Sequence, residues 1–391
     1  MKKRDSILVI LGILFISFNL RAPITAVGSI VEMIQQEFAL STATAGFITT
    51  LPLLAFAVVS PFVANLSKRI GHSMTMMIGL ILILFGEIIR SYTGAFGLFV
   101  GTAIIGVGIA IGNVIIPGII KLYFPEKVGT ITSIYTSGMC IFAAVGAGIS
   151  VPLAKGMNLG WKNALASWFV LTILTILIWL PQIKNSKAKP SSAPKSSGKT
   201  SIWRSKLAWW VTLFMGVQSL LFYSLVAWLP TIIVSKGLSD SFAGSMALLF
   251  QLMAIPATLL IPSLCDKFKD QRLLAVCVCV IYACGMSLFL LASSSPLIVA
   301  SVILMSIGMG GSISLSIAFI SLRSPNSSRA SELSGMSQSA GYLLAAVGPV
   351  LTGAIFDSLG SWNVPIILFI ALIVFLAFCG LRAGNNETVS Q

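Results

Sequence analysis

Charge is scarce in this chain. Asp, Glu, Lys and Arg make up 9% of the 391 residues, acids number only eleven, and His72 is the single histidine. A water-soluble domain carries roughly 25% charged residues. Too little polar surface remains here to cover a water-facing sphere, so lipid must be the solvent for most of the chain. The six cysteines (Cys140, Cys265, Cys277, Cys279, Cys284 and Cys379) form no C-x-x-C pair, and all but Cys265 fall inside apolar segments. With one histidine they make no metal site and read as small packing residues. No cofactor is implied. No cluster of His, Asp and Glu and no nucleophile–base pair lies within the apolar segments, and no soluble signalling domain is attached, which argues against an enzyme or a sensor.

Apolar residues are abundant, at 57%. Windows of roughly 20 apolar residues, enough to cross about 30 Å of hydrocarbon, recur twelve times. They cover 6–30, 41–64, 74–91, 95–120, 130–153 and 163–182, then 207–233, 241–262, 272–291, 295–320, 332–356 and 362–381. The first resembles a signal peptide behind Met1-Lys2-Lys3-Arg4 but is too long and contains Asn19 and Arg21, so it is expected to be a retained span. The one long polar stretch, 183–206, is a Lys/Ser/Pro-rich linker that cannot bury a core. It divides the chain into an N-terminal six-span half (1–182) and a C-terminal one (207–391). Short echoes relate the halves: Ala45-Gly46 and Ala243-Gly244, or Ala143-Ala144-Val145-Gly146 and Ala345-Ala346-Val347-Gly348. Together these predict an all-α polytopic membrane protein with twelve transmembrane helices and a duplicated architecture.

The net charge of +14 does not point to nucleic acid, because the basic residues sit in short loops without aromatic interleaving or a continuous basic face. With a cytoplasmic N-terminus, twenty Lys and Arg fall on the cytoplasmic side and four on the other (Arg90, Lys155, Lys162 and Lys236). Both termini and the linker are therefore expected inside.

Arg21 is the most informative residue. It lies roughly 20 Å along the first span, a little beyond mid-bilayer, where a guanidinium is costly unless it faces a partner or a wet cavity. Ser17, Arg21 and Thr25 share one helix face, and Pro23 frees the carbonyl of Asn19. Asn113-x-x-x-Pro117 in the fourth span repeats the spacing of Asn19-x-x-x-Pro23 and suggests a second irregular stretch beside a cavity. The glycines at 101, 106, 108 and 112 read as helix contacts. Gln218 and Tyr223 in the seventh span, Gln251 in the eighth and Gln338 in the eleventh are further candidate solute ligands. Glu87 is the acid placed well inside a predicted span. An i, i+3 ion pair with Arg90 is its simplest role, and it is also the one candidate proton carrier.

Several segments are similar to the major facilitator superfamily, in particular the cyanate permease / 2-nitroimidazole transporter family. They are Asn19-Leu20-Arg21-Ala22-Pro23-Ile24-Thr25-Ala26-Val27-Gly28, Pro117-Gly118-Ile119-Ile120-Lys121, Ala227-Trp228-Leu229-Pro230, and Gln338 with Gly341 and Gly348-Pro349. Ala22 departs from the pattern, since relatives often place proline directly after the arginine. The loop signature after the second span survives as Asn65-Leu66-Ser67-Lys68-Arg69-Ile70-Gly71, without its usual acid. The resemblance implies two pseudo-symmetric six-helix bundles rocking about a central site lined by spans one, four, seven and ten, with Lys68 and Arg69 in gating. It implies a monomeric, multi-pass protein of the bacterial plasma membrane, moving a small anionic or polar organic solute with a coupled proton or counter-ion. The alternative is efflux of lipophilic toxicants by the same fold, suggested by the aromatics near Tyr223 and the glycines of the fifth span.

Overall fold

The computed structural model describes residues 3–40, 42–185 and 201–389, so most of the 183–206 linker lies outside the described residues. Twelve helical stretches are long and apolar enough to cross a membrane, as the hydropathy windows predict. Among the described residues there is no strand. The first half contains α1 (Lys3–Asn19), α2 (Ala22–Phe38), α3 (Thr42–Ile70), α4 (His72–Tyr92), α5 (Gly94–Tyr123), α6 (Val128–Val151), α7 (Gly160–Ala166) and α8 (Trp168–Asn185). The second half contains α9 (Lys206–Ser235), α10 (Asp240–Leu252), α11 (Ala254–Cys265), α12 (Arg272–Leu291), α13 (Ser295–Leu322), α14 (Ser327–Leu359) and α15 (Asn363–Ala383). One apolar core is built from residues of the second half alone, around Phe214, Phe250, Tyr282 and Phe319. Two others belong to the first half, joined by Met215, Ile317, Tyr342 and Ala345 from the second. The result is two six-helix bundles meeting at a seam.

Within the first bundle α4 and α5 pack closely because glycines face each other. A Cβ on Gly79 would stand 3.0 Å from the Gly108 carbonyl oxygen, and one on Gly86 would stand 2.8 Å from that of Gly101. This is the packing role expected of the fourth-span glycines. Two glycines of the fifth span do the same against the first: a Cβ on Gly146 would meet Thr25 Oγ1 at 2.7 Å, and Gly138 faces Ser17. They seat helices and give no support to an efflux pocket.

Prolines shape the spans unequally. The first span divides at Leu20–Arg21, with Ala22 and Pro23 opening α2, and the eighth divides at Met253, three residues before Pro256. The fourth span corrects an expectation, because α5 runs unbroken through Pro117. The reason lies across the seam. Pro117 deprives the Asn113 carbonyl of its helical donor, and the Ser334 hydroxyl of α14 donates to that oxygen at 3.1 Å. The device recurs twice. Pro61 frees the Ala57 carbonyl, which accepts from Ser339 at 2.6 Å. Pro262 frees that of Thr258, which lies 3.3 Å from the Thr136 hydroxyl, a donor it shares with the Thr132 carbonyl at 2.9 Å. Three proline-freed carbonyls thus dock three hydroxyls of the opposite bundle.

These contacts lie toward the face that carries the 123–128, 265–272 and 322–327 turns, hereafter the terminal face. There Asp266 accepts from the backbone N–H groups of Gly129 (2.7 Å) and Thr130 (2.8 Å) and from the Thr130 hydroxyl (2.6 Å), capping α6 from the other bundle. Lys68 pairs with Glu332, which also accepts from Arg329 at 2.8 Å. The structure is therefore closed at the terminal face. At the opposite face Glu37 accepts from Lys162 at 2.6 Å and Trp161 at 2.5 Å, and these hydrogen bonds hold its carboxyl below the usual range. A depressed carboxyl stabilises above its unfolded pKa and ceases to as pH falls through the folded one. Acidification should therefore lower the thermal midpoint less in Glu37→Gln than in the parent protein.

Candidate functional site

Arg21 stands in the turn between α1 and α2, with φ −128° and ψ −43°. Its carbonyl takes over as the first acceptor of α2, receiving the N–H groups of Ile24 and Thr25, both at 3.1 Å. The Thr25 hydroxyl donates to the same oxygen at 3.2 Å. Thr25 therefore seals the break, and Ser17 donates to the Leu14 carbonyl at 2.6 Å. Of the predicted polar stripe, Arg21 alone keeps its side chain for other business.

That side chain reaches toward the second bundle. The guanidinium carbon lies 5.5 Å from the centroid of the Phe222 ring, a cation–π distance. Tyr223, Tyr342, Tyr135 and Cys140 stand within its electrostatic reach. Tyr223 and Tyr342 are edge-on at 6.3 Å, and Tyr342 tilts against Phe56 at 5.0 Å. Arg21 is partly exposed, and no carboxylate of the described residues lies within ion-pairing distance of it. A cation without an internal counter-ion, walled by aromatic faces from both bundles, is suited to a flat anion.

Of the other sequence candidates, Asn113 is buried in this region and accepts from the Tyr135 hydroxyl at 2.9 Å. Gln218 is buried one turn before Phe222, donating to Ser219 at 2.7 Å, while its Oε1 has no partner. Gln338 is buried one turn before Tyr342, and its Oε1 is likewise unpartnered. Gln251 is partly exposed near the end of α10, and no hydrogen bond among the described residues ties it to the Arg21 group. Lys68 and Arg69 lie far off at the terminal face, Lys68 on Glu332 and Arg69 exposed. Phe222, Tyr135 and Tyr342 were not singled out by sequence reasoning. Tyr342 had a signal, four residues beyond Gln338, whereas nothing local marks Tyr135.

Two expectations need correction. Asn19 does not join Arg21. Its amide donates to Thr175 Oγ1 (2.6 Å) and the Phe15 carbonyl (2.9 Å), and its oxygen accepts from Thr172 (2.7 Å), all within the first bundle. Glu87 and Arg90 make no ion pair within 4 Å. Instead Glu87 lies 2.9 Å from the Thr172 hydroxyl, whose single proton it shares with the Asn19 oxygen, and Arg90 Nη1 donates to the Pro23 carbonyl at 2.6 Å. Both ends of the helix break are thereby fastened from behind, Asn19 to the sixth span and Pro23 to the third. Arg90→Met would leave the buried Pro23 carbonyl without its donor, at about 1–3 kcal/mol. Thermal unfolding in detergent should show a lower midpoint for Arg90→Met, and Glu87→Gln/Arg90→Met should recover little of it, because the Pro23 carbonyl stays unpaired in both.

The sequence profile of the Major Facilitator Superfamily matches residues 9–345, with a second match over 235–388. Over the whole chain and 96% of the relative's length, the sequence is 47% identical to "Uncharacterized transporter YycB" of Bacillus subtilis (strain 168). It is 40% identical to the 2-nitroimidazole transporter of Escherichia coli (strain K12), over 99% of this chain and 98% of that one. To the cyanate transport protein CynX of the same organism it is 24% identical, over 90% of this chain and 91% of that one. Among solved structures, the proton:xylose symporter XylE bound to 6-bromo-6-deoxy-D-glucose superposes with a TM-score of 0.80 at 13% identity, covering 100% of this chain and 98% of that one.

Proposed function

Because this chain is a member of the major facilitator superfamily, we propose that it is an alternating-access carrier of a small organic anion, held electrostatically by Arg21. One observation carries this reading: a partly exposed mid-span guanidinium with no carboxylate partner among the described residues, facing Phe222, Tyr223 and Tyr342 of the other bundle. A cation held within a membrane span without a counter-ion is costly, so an arriving anion gains what the protein itself withholds. The likeness to a 2-nitroimidazole transporter and a cyanate transport protein supports a small, flat, polar cargo. Alternation requires the solute to permit exchange between two states rather than hold one. The terminal-face contacts of Asp266 and of Lys68 with Glu332 are the bonds that such an exchange must break. The distribution of basic residues supports cytoplasmic termini in a bacterial plasma membrane. Glu87, buried two hydrogen bonds behind the Arg21 turn, is the carboxyl through which a proton gradient would act.

The experiment is counterflow in proteoliposomes against cyanate, nitrate, short carboxylates, aryl carboxylates and nitroimidazoles, with and without a pH gradient. Saturable exchange of anions from this panel, inhibited mutually, is expected. Exchange confined to neutral or cationic compounds would sink the proposal.

A further inference from the structure

We propose that Gln338 sets specificity in the Arg21 site, selecting a flat, single-ring anion that carries a hydrogen-bond donor on the side away from its charge. The inference rests on Arg21 as the anion anchor. Along α14 the hydroxyls around Gln338 all have protein partners: Ser334 on the Asn113 carbonyl, Ser337 on Thr212 at 3.1 Å, and Ser339 on the Ala57 carbonyl. Gln338 Oε1 has none, although the residue is 3% exposed; on the same helix the Ser331 hydroxyl, two turns nearer the terminal face, shares that condition. A buried amide oxygen without a donor is destabilising, and a group left so usually has a reason to be there.

Its position supplies the reason. Residues four apart share a helix face, so Gln338 lies on the face of Ser334, which reaches the fourth span, and of Tyr342, which is within electrostatic reach of Arg21. On α9 the same relation holds between Gln218, whose Oε1 is also unpartnered, and Phe222 beneath the guanidinium. In each case an acceptor stands one helical turn, about 6 Å, below the rings around the cation. One six-membered ring bridges that rise. Its carboxylate would meet Arg21, its faces would lie against Phe222 and Tyr342, and a para hydroxyl would donate to Gln338 Oε1. A ringless anion leaves the amide unsatisfied. A para ether sets two acceptors against each other.

The test uses the purified full chain in proteoliposomes, with labelled 4-hydroxybenzoate in counterflow and benzoate, 4-methoxybenzoate and 4-hydroxybenzoate as competitors. The wild type should favour the hydroxy acid over both others by roughly ten- to a hundredfold. Gln338→Leu should level benzoate with 4-hydroxybenzoate as competitors, a change of ranking that a merely structural role would not produce. The wild-type ranking decides the matter even where the variant fails to insert. Equal competition by all three acids, or exchange of cyanate and nitrate but none of the aryl acids, overturns this inference and leaves the anion reading standing. Inertness toward every anion overturns both.

Discussion

Arg21→Ala is expected to abolish anion counterflow while the protein still inserts, purifies as a single species and keeps its helical content. The separation follows from the geometry. The backbone of Arg21 holds the helix turn through its carbonyl, which alanine supplies equally well. Its side chain has no carboxylate to leave stranded among the described residues, so truncation costs the fold little. For the solute the loss is large, since charge-assisted hydrogen bonds to a guanidinium are worth about 1.5–3 kcal/mol each. Two such bonds lost would weaken binding by a hundredfold or more. Arg21→Lys should remain at least tenfold impaired, because an ammonium neither presents a planar fork nor stacks on Phe222 in the same way. Substrate-protected thermal shift and counterflow report binding and transport separately. Wild-type exchange in Arg21→Ala would remove the basis of the proposed function.

Gly129→Ala should hold the carrier away from the closed state seen here. A Cβ at that position would fall on the Pro262 carbonyl oxygen of the opposite bundle. Both groups are backbone, so neither can swing aside as a side-chain tip would. Overpacking of this kind costs roughly 2–3 kcal/mol, about thirty- to a hundredfold in the population of one state against another. The clash lies between bundles, so each bundle should fold normally. Spin labels at Lys127 and Lys267, both exposed and flanking the contact, should report a longer distance in the variant on a cysteine-free background. Thr136→Val/Ser334→Ala/Ser339→Ala removes the hydroxyls that meet the proline-freed carbonyls and should act in the same direction, at about 1 kcal/mol for each bond. Unchanged distance distributions in both proteins would show that the terminal face is held closed by something else.

The twelve spans could be read from the sequence because lipid solvation imposes a length and a polarity on each of them. The break in the first span could be read as well, because Pro23 acts through local covalent geometry. The partners of that break could not. Nothing local tells that Asn19 turns to Thr172 and Thr175, more than 150 residues away, or that Arg90 seeks the Pro23 carbonyl in preference to Glu87. The spacing of Asn113 and Pro117 repeats that of Asn19 and Pro23, yet only the first pair marks a break. Ser334, from a helix that begins over 200 residues later, supplies the donor that lets α5 continue. The missing acid of the first loop signature was legible, but not that Asp266 of the second half caps α6 across the seam.

Fastening Asn19 to the sixth span and Pro23 to the third also makes the Arg21 cation a fixed passenger of the first bundle. When that bundle rocks, the positive charge must travel with it. A carrier loaded with a monovalent anion would then shift almost no net charge at the site, whereas the empty carrier would return with one uncompensated. The membrane voltage would act mainly on the unloaded half of the cycle.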